Sequence, residues 1–162
     1  MKRWFLLILG LTFSISSMGA DNIEIPAIEF FNTFKAEYQI LIAANEVPKE
    51  DNKFGSVSIE GNEGLMVFPY CHKTGGVCDP GFRSFPLDST RIYRQKYDDN
   101  DFVYTLETLE KGATTPRQYK WEYRNKVVHF LDEKYTLASG EAFPLEFIME
   151  KAPSTYPFPV DP

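Results

Sequence analysis

Histidine and cysteine are scarce in this 162-residue chain, two of each: His72, His129, Cys71 and Cys78. So small a supply of bases and thiols leaves little for nucleophilic or metal chemistry to draw on. No Gly-x-Ser-x-Gly elbow, His-Glu-x-x-His pair or phosphate-binding glycine loop occurs either. An Asn-x-Ser/Thr sequon is also missing. Positive charge is in deficit, 17 Lys+Arg against 23 Asp+Glu, for a net charge of −6. An acidic chain is repelled by phosphate backbones and by anionic lipid, which disfavours nucleic-acid and membrane-surface roles. No apolar run approaches the ~20 residues that a helical bilayer span needs.

The N-terminus has a composition of its own. Lys2 and Arg3 are followed by an apolar stretch, Trp4 to Ile15, and then by small residues up to Gly19 and Ala20. That succession is the pattern of a secretory signal peptide over residues 1–20, with cleavage after Gly19 or Ala20. The expectation is an exported protein, periplasmic or extracellular, not membrane-spanning once processed. Without Lys2 and Arg3 the charge becomes 15 − 23 = −8. Residues 21–151 have the length of one domain. Residues 152–162 carry four prolines and form an extended tail that cannot join a sheet interior.

Period-two alternation dominates the domain. Phe34, Ala36, Tyr38, Ile40 and Ile42 fall on one face. Residues 55–60 and 65–70 flank a turn at Gly61–Gly64. A Gly- and Pro-punctuated loop is expected from Cys71 to about Asp88. Beyond it, a four-residue loop at Asp98–Asp101 would set Tyr93, Gln95 and Tyr97 beside Phe102, Tyr104 and Leu106. A two-residue turn at Asn125-Lys126 would put Val128 and Phe130 beside Tyr119, Trp121 and Tyr123. A loop at Ala138–Gly140 would continue the face through Tyr135, Leu137, Phe143, Leu145, Phe147 and Met149. Helical periodicity is confined to Pro26–Phe34. The fold class is therefore all-β, an antiparallel meander of about eight or nine strands, with a closed barrel favoured over a two-sheet sandwich.

An exported protein meets an oxidising compartment, so Cys71 and Cys78 are expected to pair as a disulfide. Closing so short a loop contributes roughly 2.5 kcal/mol in the chain-entropy account. A metal site from Cys71, His72, Cys78 and Asp79 is the weaker reading, because this spacing is not a zinc pattern. His129 pairs across strands with Glu122 on the polar face, and Asp98–Asp101 reads as a solvated hairpin tip. No metal and no cofactor is expected.

Tyr93, Tyr97, Tyr104, Tyr119, Trp121 and Tyr123 form an aromatic group on the inferred inward face. Aromatics on inward strand faces are chiefly core, and that is the favoured reading of this group; the second reading is a cavity lining, because their polar tips are awkward in a dry core and at home in a cavity. Tyr93, Tyr104, Trp121 and Tyr123 are therefore the candidate ligand-binding residues, and a non-enzymatic carrier of a small apolar or aromatic molecule is the leading function. The alternative is an interaction module, an inhibitor or assembly factor for an envelope protein, using Tyr156 and Phe158 of the tail. A hydrolase working through carboxylates ranks third.

Overall fold

The computed structural model describes residues 22–43, 54–71, 78–109, 112–136 and 142–153. The signal-peptide assignment, the loop at residues 138–140 and the tail aromatics Tyr156 and Phe158 lie outside the described residues. The chain forms β1 (Asn22–Ile25), α1 (Ala27–Phe34), β2 (Ala36–Ala43), β3 (Phe54–Glu60), β4 (Glu63–Cys71) and β5 (Cys78–Pro86). There follow β6 (Arg91–Asp98), β7 (Asp101–Thr108), β8 (Arg117–Arg124), β9 (Val127–Thr136) and β10 (Ala142–Lys151). All ten strands belong to one antiparallel sheet in the order β1-β6-β7-β8-β9-β10-β2-β3-β4-β5. Two meanders, β2–β5 and β6–β10, join where β10 pairs with β2, and β1 returns to flank β6. The ladder ends at β1 and β5, so the sheet is not closed into a barrel.

The segment expected to be a loop after Cys71 contains a strand, β5, paired with β4 along its whole length. Pro80 and Pro86 lie within it. Proline cannot donate to a ladder, and a strand that carries it is confined to a sheet edge, which is where β5 lies.

Helix α1 spans part of the expected segment. Pro26, at φ −60°, precedes it and offers its carbonyl to the amides of Glu29 and Phe30. Ala27, Phe30, Phe31 and Phe34 are buried, the i, i+3, i+4, i+7 stripe of an amphipathic helix. That stripe enters the concave side of the sheet. Phe30 meets Tyr104 and Trp121 at ring separations of 5.2 and 5.7 Å, and Phe31 meets Phe85 at 5.7 Å. Alongside them Phe147, Phe68, Phe130 and Tyr119 form a run of near-parallel rings at successive separations of 4.4, 5.2 and 6.0 Å. The interior is therefore largely a packed aromatic core.

The turns decide which residues face it. Arg124 pairs with Val127, and Asn125 and Lys126 take φ of 49° and 68°, as a two-residue hairpin turn of the I′ type requires. Trp121 lies opposite Phe130 and Tyr123 opposite Val128, the expected register. At the Asp98–Asp101 hairpin the expectation fails. Asp98 pairs with Asp101, leaving only Asp99 and Asn100 in the turn, and an irregularity between Lys96 and Asp98 sets Lys96 opposite Phe102. One extra residue reverses every side chain before it. Ile92 and Arg94, not Tyr93 and Gln95, share the face of Tyr104 and Leu106.

Candidate functional site

The helix fills the concave side only as far as Phe34. There Lys35 turns the backbone to φ −54°, ψ 109°, and β2 begins. A pocket of about 340 Å³ opens at this point. Its aromatic walls are Phe34, Tyr38, Phe102, Tyr104 and Tyr123. Thr33, Lys126 and Lys151 complete the lining. The volume lies at the lower end of the ~300–1,000 Å³ usual for small-molecule sites.

Each wall follows from its local structure. Phe102 and Tyr123 are directly opposed across β7 and β8, as are Tyr104 and Trp121. Phe34 packs edge-on to both Tyr104, at 5.3 Å, and Tyr123, at 5.6 Å. Tyr38 donates its hydroxyl to the carbonyl of Phe34 at 2.6 Å, which satisfies an acceptor left over at the helix end. Burial pushes the Tyr38 phenol well above the ordinary tyrosine range, with Tyr123 acting in the same direction. Burial also raises Tyr104, against the opposing influence of Arg94, which lies across the ladder from it. Both rings are held neutral at any physiological pH. They offer O–H groups and no charge.

The four sequence candidates separate into three positions. Tyr104 and Tyr123 line the pocket. Trp121 lies behind it, wholly buried against Phe34 at 5.1 Å and Tyr38 at 6.0 Å. Its Nε1 is the one buried side-chain polar atom among the described residues without a hydrogen-bond partner. Tyr93 is half-buried on the other face, under the Arg91 guanidinium at 5.6 Å, because of the irregularity near Tyr97. Phe34, Tyr38, Phe102, Lys126 and Lys151 were outside the candidate set. Phe102 and Tyr38 alternate with the polar face in the sequence, so period-two reading had the signal for them. Lys126 and Lys151 carried none.

Two polar clusters lie elsewhere. Asp132, on β9, is buried and accepts Nε of Arg83 at 2.6 Å, with Arg117 bonded to its other oxygen. His129 stands between Glu122, at 3.7 Å, and Glu146. All three are about one-third exposed, on the sheet's outer face. The register sets Cys71 directly opposite Cys78 where β4 pairs with β5.

No protein-family model, no curated protein and no solved structure matches this chain, so its chemistry has to be read from the pocket itself.

Proposed function

We propose that this is an exported, non-enzymatic binding protein that holds one small apolar or aromatic molecule in the pocket at the end of α1. The observation that carries this reading is the pocket. Five aromatic side chains surround about 340 Å³ that the core leaves unfilled, although the rest of the concave face is packed with rings. Buried aromatic surface contributes about 25 cal/mol per Å² when a ligand covers it. The few polar tips present suit orientation rather than catalysis. We read the sheet as a barrel left open between β1 and β5 rather than as a sandwich. Phe85 of β5 reaches Tyr119 of β8 at 5.2 Å across one shared interior.

Trp121 reports on this site. It touches two of the lining rings, and the chain's other tryptophan, Trp4, lies in the inferred signal peptide. Titration with a panel of fatty acids, alcohols and substituted benzenes should shift or quench its emission for at least one chemical class. Silence across the panel, with calorimetry equally flat, would overturn the reading.

A further inference from the structure

We infer that the pocket selects a small amphiphilic anion, its apolar body among Phe34, Phe102, Tyr104 and Tyr123 and its carboxylate-like head between Lys126 and Lys151. This rests on the ligand-binding reading and adds the charge of the ligand to it. Two lysines and no acidic residue line the pocket, in a chain whose acidic residues outnumber its basic ones by 23 to 17. Neither lysine joins an ion pair among the described residues.

The ladder also brings the two lysines together. Glu150 pairs with Val127, so one step along the strands Lys151 adjoins Lys126 at the β8–β9 turn. Like charges side by side across strands repel, and an anion held between them removes that repulsion. Lys126 sits at φ +68°, which the turn requires and which glycine would adopt without strain. Arg94, its guanidinium 5.7 Å from the Phe102 ring, adds a third cation beside the pocket.

The test compares decanoate with decan-1-ol, which share a tail and differ in charge, against the wild type, Lys126→Gly, Lys151→Gln and the double variant. Lys126→Gly suits the positive φ, so its melting temperature should not fall and lost binding will not reflect unfolding. Decanoate should bind the wild type about tenfold more tightly than the alcohol at low salt, as a charge-assisted contact implies. Added salt should narrow that gap, and the double variant should erase it. Equal binding of acid and alcohol by the wild type would overturn the inference and leave the ligand reading standing. So would a gap that persists in the double variant. If neither molecule, nor any in the wider panel, binds the wild type, both fall together.

Discussion

Gly64 is where α1 docks against the sheet, and adding one methyl there should push the helix away. A Cβ built at Gly64 falls 2.5 Å from Cδ2 and Cζ of Phe31 and closer still to Cε2, whereas ordinary contact begins at 3.4 Å. The ring must therefore retreat by more than 3.4 − 2.5 = 0.9 Å. It has nowhere to go: Phe31 is wholly buried, with Phe30 at 5.2 Å and Phe85 at 5.7 Å. Overpacking a close-packed core costs about 1–3 kcal/mol, and a site without an exposed side belongs in the upper half of that range. For a domain of this size, 2–3 kcal/mol corresponds to roughly 5–10 °C in Tm. Thermal and urea melts of Gly64→Ala, Phe31→Ala and the double variant check the mechanism. Phe31→Ala alone should cost about 3–5 kcal/mol. On that background Gly64→Ala should cost almost nothing, a coupling of about 2 kcal/mol. A Gly64→Ala variant within 0.5 kcal/mol of wild type, or strictly additive with Phe31→Ala, would refute the docking of the helix on β4.

Three further expectations follow from single residues. Burial raises the Tyr38 phenol above its unfolded value near 10, so the stability it contributes is complete below about pH 10 and is lost as pH climbs beyond it. Tyr38→Phe should therefore lose less Tm than wild type between pH 9 and 11, and parallel curves would contradict this. Asp132→Asn weakens the bonds to Arg83 and Arg117, whose side chains are 18 % and 28 % exposed while that of Asp132 is fully buried. Because the arginines are partly solvated, the expected cost is about 2–3 kcal/mol by urea midpoint rather than the 3–5 of a fully buried pair, and a change under 0.5 would dismiss the cluster as a staple. Cys71 and Cys78, opposed in the β4–β5 register, should form a disulfide that shows as a two-hydrogen mass gain on reduction; Cys→Ser at both should cost about 2–3 kcal/mol without unfolding the protein, and two free thiols in protein purified without reductant would disprove the bridge.

What could be read from the sequence was whatever local chemistry decides. The turn at Asn125-Lys126 is fixed by two residues, and it places Trp121 and Tyr123 on the inner face with Val128 and Phe130. The short helix after Pro26 shows itself by the spacing of Ala27, Phe30, Phe31 and Phe34. The hairpin before Phe102 is not local in the same sense. Asp and Asn at residues 98–101 suit a four-residue loop and a two-residue turn alike, and the choice goes with a register shift at Tyr97, between Lys96 and Asp98. That one residue removed Tyr93 from the site. β5 was equally hidden, because its prolines read as loop punctuation until an edge position is available to tolerate them.

The largest element that could not be read is the relation of the helix to the aromatic face. Inward phenols and an indole in such number imply either a cavity or a core, and composition alone cannot separate the two. The structure divides the face between them. Where α1 runs, Phe30 and Phe31 occupy the space, and Trp121 becomes a fully buried wall with no room for a ligand. Where α1 ends at Phe34, the plug stops while β7 and β8 continue, and Phe102, Tyr104 and Tyr123 are left facing about 340 Å³. The length of the helix therefore sets the size of the pocket. The helix can be no longer, because β2 must start at Ala36 to pair with β3, Ala36 opposite Val57. Tyr38 then ties the two together, its hydroxyl capping the last turn while its ring forms a wall of the pocket. Sequence spacing between α1 and β2 thus decides how much of the aromatic face is core and how much is left open as a pocket.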